Sequence, residues 1–278
     1  MRYPSLRVSG PGGSAAPPAG TAIGPPPLIA AAHGSSDPRA AASVGALLDL
    51  VRQRAEAAGF PGLDVRAAYL GHAAPSLHQA LTYAADHDEE AVVLPLLLTA
   101  AYHSKADIPG MLREARSARP RLAVSYGQPL GPHPLLLRAL ERRLGEIPGS
   151  ADFDPRQTAV VLAAAGSSDR AAAGVISDLA ARWRARRGWR AVLPAYASAA
   201  TPTPADAVAA ARRAGTRHVL VATYLLSPGL FADQIRRDCL AAGAAGVSPV
   251  LGAAPEIADV VLGRYAETLA DGSAAVAG

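Results

Sequence analysis

The residues of this chain best suited to chemistry are histidines, and an internal repeat sorts them. The segment Leu28-Ile-Ala-Ala-Ala-His33-Gly-Ser-Ser-Asp37 returns as Val161-Leu-Ala-Ala-Ala165-Gly-Ser-Ser-Asp169, so His33 in one copy faces Ala165 in the other. Further on, Leu96-Leu-Leu-Thr-Ala-Ala-Tyr-His103 answers to Tyr224-Leu-Leu-Ser-Pro-Gly-Leu-Phe231, which sets His103 against Leu230 or Phe231 according to where a one-residue gap falls. Gly131-Pro-His133-Pro134 has its echo in Gly252-Ala-Ala254-Pro255. Histidines that served only the scaffold would be wanted in both copies; their loss from the second points to chemistry kept in the first. A neutral imidazole is a common ligand for first-row divalent metals and, with a pKa of about 6.5, a base poised near neutral pH. Two imidazoles plus water make an open site that releases its metal, whereas a closed four-ligand cage retains it.

The elements that must position these side chains read as alternating strands and helices. Leu28 to Ala32 is a short apolar run, and Asp37-Pro38 gives an N-cap and a first-turn proline to a helical pattern through Val44, Leu47, Leu48, Val51 and Ala55 that Gly59 ends. Leu63–Tyr69, Ala91–Leu98 and Leu122–Tyr126 read as further strands, with helices from about Pro75, from Asp107-Ile-Pro109 and after Pro134. The second copy repeats this with strands near Ala159, Ala191, His218 and Pro249. Near-continuous apolar strands alternating with helices predict an α/β protein of two similar lobes, each a parallel sheet flanked by helices, derived from an internal duplication. A period of roughly 130 residues is too long for a solenoid. The expected division is a disordered leader over 1–26, an N-terminal lobe over 27–145, a linker over 146–158 and a degenerate C-terminal lobe over 159–278. In open parallel sheets ligands bind beyond the carboxyl ends of the strands, where His33 and His103 both fall.

Composition excludes several classes. The leader is rich in Gly, Pro, Ala and Ser and has no apolar stretch of signal-peptide length, so a cytoplasmic protein is expected. Cys239 is the only cysteine, which rules out an internal disulfide or an all-cysteine zinc site. The net charge of +4 gathers only at Arg182, Arg184, Arg186 and Arg187 on one helix, which reads as a solvated face, so no nucleic acid partner is expected. A serine hydrolase built on Ser35 or Ser36 with His103 lacks the G-x-S-x-G elbow, and no G-x-G-x-x-G follows the first strand for a dinucleotide. His78, His87 and His218 lie away from strand ends and read as structural.

Three blocks resemble the sirohydrochlorin chelatase family, the CbiX/SirB group of class II chelatases. They are His33-Gly-Ser-Ser, Tyr69-Leu-Gly-His72-Ala-Ala-Pro75-Ser-Leu, and Leu94-Pro-Leu-Leu-Leu-Thr-Ala-Ala-Tyr-His103-Ser-Lys-Ala-Asp107-Ile-Pro109. The resemblance runs from about Leu28 to Leu269 and implies the long form, with two chelatase-like lobes flanking a cleft. It implies insertion of a divalent metal into sirohydrochlorin with release of two protons. The metal is a substrate and no cofactor is tightly bound. Fe2+, giving siroheme, is favoured because the chain lacks the cysteine pairs and histidine-rich tract of some cobalt-directed long forms. The alternatives are the Co2+ reaction of cobalamin biosynthesis and a non-catalytic tetrapyrrole- or metal-binding protein.

The family's two catalytic histidines map onto His33 and His103, which are expected to hold the metal as well. Many members carry an acidic residue at the place of Gly71. Here it is missing, and His72 is expected to supply a third nitrogen, provided the turn rotates it toward the site. The carboxylates of the macrocycle are expected to meet Gly34, Ser35, Ser36, Lys105 and His133. The expected partners are sirohydrochlorin and a metal ion, with no membrane, the protein being a monomer or homodimer.

Overall fold

The structure, a computed structural model, describes residues 24–88, 90–99 and 106–276. The first half runs β1 (Leu28–Ala32), α1 (Pro38–Ala55), β2 (Val65–Tyr69), α2 (Leu77–His87), β3 (Glu90–Pro95), α3 (Ile108–Ala118), β4 (Ala123–Tyr126) and α4 (Pro134–Gly145). The second runs β5 (Thr158–Ala164), α5 (Arg170–Arg187), β6 (Ala191–Tyr196), α6 (Pro204–Arg213), β7 (His218–Tyr224), α7 (Leu230–Ala241), β8 (Gly246–Val247) and α8 (Pro255–Val276). Each half forms a four-stranded parallel sheet, ordered β2-β1-β3-β4 and β6-β5-β7-β8, so the expected duplicated α/β architecture is what the chain adopts. Between the halves lie two single-turn helices, Ser150–Asp152 and Pro155–Gln157. The leader through residue 23 lies outside the described residues.

Local chemistry explains the helix starts. Asp37 accepts from the Arg39 N–H at 2.9 Å and Asp169 from the Ala171 N–H at 2.8 Å, the same N-cap in both halves. Ser76 and Gln79 close a reciprocal capping box on α2. Two strands depart from expectation. The run expected near Pro249 pairs only over Gly246–Val247; Ser248 still donates to the Val221 carbonyl at 2.8 Å, and Pro249, with no N–H, ends the ladder. β3 ends at Pro95; the Leu96 N–H still donates to the Ala31 carbonyl at 2.8 Å, and residues 96–98 go on to wall a cavity.

Strand alternation divides the core. Ile29, Ala31, Val93 and Val124 pack against α2 and α3 on the outside of the first sheet, and Val161, Ala163, Val219 and Val221 against α6 and α7 on the outside of the second. The other faces share one continuous core that joins Leu28, Ala30 and Leu94 to Val160, Leu162 and Leu220 through α1, α4, α5 and α8. Two sheets therefore sandwich a common layer of helices, with Trp183 and Tyr265 fully buried in it.

The last helix of each half crosses over. α8 packs on α1, β3 and β4 of the first half, while α4 packs on β7 of the second. Tyr265 on α8 donates to the Pro26 carbonyl at 2.6 Å and meets the Phe60 ring edge-on at 4.9 Å. Arg143 on α4 donates to the Leu251 carbonyl at 2.8 and 3.1 Å. The sequence halves are thus not separate packing units, and the exchange fixes the two sheets relative to each other. Among the described residues no helix is long and apolar enough to cross a membrane.

Candidate functional site

The carboxyl ends of both sheets open on one cavity of about 650 Å³. The first half contributes His33, Gly34, Ser35, Ser36, Tyr69, His72 and residues 96–99; the second contributes Ala165, Gly166, Ser167, Tyr196 and residues 224–232. The volume falls within the usual range for small-molecule sites, roughly 300 to 1,000 Å³.

The two walls are built alike. Gly34 and Gly166 take left-handed backbone angles, φ +87° and +95°, and a Cβ at either would overlap the carbonyl oxygen of Gly71 or of Ser198. Ser35 accepts from the Asp37 N–H and Ser167 from the Asp169 N–H, both at 3.1 Å. The first serine of each turn therefore starts the helix, which accounts for its retention in the half without histidines. Ser36, by contrast, is exposed and lines the cavity.

The second turn is twinned too. Gly71 donates to the His33 carbonyl at 3.1 Å and Ser198 to the Ala165 carbonyl at 2.9 Å, making Gly71 and Ser198 equivalent. His72 then matches Ala199, and both non-glycine residues sit at positive φ, 59° and 56°. That backbone is unfavourable for a residue with a Cβ, and it rotates the His72 side chain into the cavity rather than away from it. So a third histidine of the first half is an alanine in the second. Tyr69-x-x-His72-x-x-Pro75 against Tyr196-x-x-Ala199-x-x-Pro202 is the trace of this contrast in the sequence.

The third strands also keep register. Val92 and Leu220 pair with the equivalent residues Leu28 and Val160, and the Leu97 and Leu225 carbonyls accept from Leu130 and Leu251, at 2.9 Å in both halves. His103 and Lys105 themselves lie outside the described residues. Among the described residues no group of three or more His, Cys, Asp or Glu side chains is placed to hold a metal ion; His33 and His72 are the described imidazoles on the cavity wall.

His133 is placed elsewhere. Its Nδ1 accepts from the Leu135 N–H at 3.2 Å, capping α4, and it does not line the cavity. Partial burial, with Arg264 nearby, holds its pKa below the usual imidazole value. Cys239 is buried on the outer side of the second sheet, where burial pushes its thiol up to about 12.

Three features of the cavity escaped sequence reasoning because they join distant segments. Tyr224 donates to the Leu98 carbonyl at 3.1 Å, tying the second half to the strand end that leads toward His103. Leu230 and Phe231, 77% and 39% exposed, turn large apolar surfaces to the cavity from the start of α7. At the rim Arg39 bridges Asp37 of its own helix cap to Asp233 on α7.

A model of the CbiX family matches residues 27–147 and again residues 159–268. Among curated proteins the chain is similar to the sirohydrochlorin ferrochelatase of Priestia megaterium, 27% identical over 172 residues that make up 61% of this chain and 63% of that protein. It is similar also to the sirohydrochlorin cobaltochelatase of the same organism, 26% identical over 172 residues, 62% of this chain and 56% of that one. These matches span less than two thirds of either relative's length. Among solved structures, SirB from Bacillus subtilis with Fe3+ superposes with a TM-score of 0.76 at 22% identity, covering 90% of this chain and 98% of that one. CbiX described as the terminal enzyme for biosynthesis of siroheme in denitrifying bacteria gives 0.62 at 20% identity, covering 87% and 98%. At such identities these superpositions establish the fold. With one family match on each half of the chain, this protein belongs to the CbiX family, as two tandem copies of its unit.

Proposed function

We propose that this protein is a sirohydrochlorin chelatase, which inserts a divalent metal ion into the tetrapyrrole and releases two protons. The observation that carries the reading is the asymmetry of the cavity. Two matching turns of the first half present His33 and His72, and the same turns of the second present Ala165 and Ala199, which can neither hold a metal nor take a proton. The names of the curated relatives point to the same reaction.

In the reaction the ion must exchange ligands from water to imidazole to pyrrole nitrogen while both pyrrole N–H protons leave. His33 and His72 hold the arriving ion through neutral nitrogens; as the ion passes to the pyrrole nitrogens the two imidazoles are released, and each takes one of the two pyrrole N–H protons and passes it to water. His103, the second histidine of the family pattern, is assigned to the same task. Gly34, Ser36 and Lys105 are assigned to the carboxylate periphery of the substrate, Ser35 acting mainly through the turn it organises. His133, committed to its helix cap, is left out of this set. We place the reaction in the cytoplasm, with the protein a monomer or homodimer.

Fe2+ is the favoured metal and Co2+ the second reading, since the similar curated proteins include both a ferrochelatase and a cobaltochelatase. Ligand type does not separate the two ions, because imidazole suits both. The test is the absorbance change on metallation of sirohydrochlorin under anaerobic conditions, corrected for the spontaneous rate, with Fe2+ and Co2+ offered singly and in competition. A rate no faster than the spontaneous one with either ion would overturn the proposal.

A further inference from the structure

The clearest difference between the two walls, apart from the histidines, is a tyrosine hydroxyl. Tyr69 and Tyr196 end equivalent strands: each backbone N–H donates to the carbonyl of the following proline, Pro75 or Pro202, at 3.0 Å. Their Cβ atoms flank the two turn glycines at nearly equal distances, 3.4 and 3.3 Å from a Cβ built on Gly34 or Gly166. The Tyr196 hydroxyl donates to the Ala173 carbonyl on α5 at 3.2 Å. Tyr69 makes no such bond to α1, and among the described residues its hydroxyl has no hydrogen-bond partner. Yet Tyr69 is only 5% exposed, and it lines the cavity on the strand end three residues before His72 and beside the His33 turn.

The Tyr69 hydroxyl is not among the described buried side-chain donors left without a partner, Trp189 Nε1 and Arg264 Nε, so although most of the ring is buried its oxygen is open to the cavity. The twin half shows that the scaffold has a carbonyl available to satisfy this hydroxyl. Keeping it free on the histidine side only, facing the cavity, is the pattern of a group whose partner is the ligand. Burial raises the phenol pKa, so the hydroxyl stays protonated at neutral pH and acts as a donor rather than a base. The described cavity wall contains no lysine or arginine, so neutral donors must meet an anionic substrate there.

We propose that the Tyr69 hydroxyl is a binding contact for a carboxylate of the tetrapyrrole, orienting the macrocycle over the histidines. This rests on the chelatase reading, and it makes Tyr69 a positioning residue for that reaction. Tyr196, its twin, is structural. The two phenylalanine substitutions therefore separate the roles. Tyr69→Phe removes a donor that has no partner among the described residues and leaves the thermal midpoint unchanged or slightly raised. Its KM for sirohydrochlorin and its Kd for metal-free sirohydrochlorin, read by ligand absorbance, rise about ten- to a hundredfold, as for loss of one hydrogen bond to a charged group. The KM for the metal ion and kcat stay within about twofold. Tyr196→Phe strands the Ala173 carbonyl, lowers the thermal midpoint and leaves both tetrapyrrole constants near wild type.

If Tyr69→Phe binds metal-free sirohydrochlorin as tightly as the wild type, or if its loss appears in kcat or metal KM instead, the proposed contact is wrong while the chelatase reading stands. If the wild type neither binds nor metallates sirohydrochlorin, the chelatase reading fails, and the contact with it. A tetrapyrrole octamethyl ester in place of the acid is expected to bind the wild type more weakly and to show a Kd that Tyr69→Phe changes by less than about twofold, since the ester carries no carboxylate. An equal loss with the ester would overturn the assignment to a carboxylate.

Discussion

Arg39 at the start of α1 and Asp233 in the first turn of α7 meet across the mouth of the cavity, Nη2 to Oδ2 at 2.6 Å, with Asp37 held by the same guanidinium. This is an exposed contact between the halves, and it sits beside Leu230 and Phe231. Exposed pairs contribute little to global stability, so Arg39→Ala is expected to leave the thermal midpoint nearly unchanged. What it frees is local: deuterium uptake at the first turn of α7 rises, while uptake in β5 and β7 does not. Hydrogen bonds from Arg39 hold both carboxyls below the usual carboxylate pKa. For such groups the stabilising contact is complete above the unfolded value of about 4 and is lost as pH falls through the lowered one. Protection of this turn is therefore the same at pH 7 and pH 5, and it disappears only in stronger acid.

His33→Ala and His72→Ala recreate residues that the second half carries at equivalent positions, Ala165 and Ala199. Ala199 adopts φ 56° where His72 has 59°, so the shortened side chain is compatible with that backbone. Each variant should fold with a thermal midpoint close to wild type and lose on the order of a hundredfold in metallation rate, the scale of removing a general base or metal-holding group. Near-normal catalysis in the folded double variant would place the chemistry elsewhere.

Gly34→Ala and Gly166→Ala test the turns. Both positions have positive φ, and both would drive a Cβ into a backbone carbonyl rather than a movable side chain. Each should lower stability by about 1–3 kcal/mol or more, measured by urea unfolding, with similar losses in the two halves. Only Gly34→Ala moves His33, so at a temperature where both variants are folded it alone should depress turnover strongly.

His133 makes a pH prediction. Its depressed pKa means that the unfolded chain binds a proton more readily than the native one. The stability it contributes is complete above the unfolded value of about 6.5 and is lost as pH falls through the lower folded value. Asparagine is a strong N-cap that does not titrate there. His133→Asn should therefore keep the stability seen at pH 7.5, flatten the acid-side fall below about pH 6.5, and leave metallation unchanged, because the side chain is outside the cavity.

Much of this protein was legible in one dimension because its signals are local or repeated. Apolar runs with period breaks at Gly and Pro located the strands, and Asp37 and Asp169 announced their helices because a capping bond spans two residues. The duplicated Gly-Ser-Ser turn, preceded by His33 in one copy and Ala165 in the other, pointed to the half that offers an imidazole to a ligand, since the two copies fold alike and differ in that side chain. Tertiary structure decided what depends on distant segments meeting. That α8 covers the first sheet and α4 the second follows from one core shared between the halves, and no local propensity encodes which sheet a terminal helix will bury. Nor did side-chain type separate His72 from His133: a positive φ turns the first into the cavity, and an Nδ1 hydrogen bond ties the second to a helix end. The hydroxyl of Tyr69, without a partner among the described residues, belongs to the same class, because whether a donor has a partner is a property of three-dimensional packing.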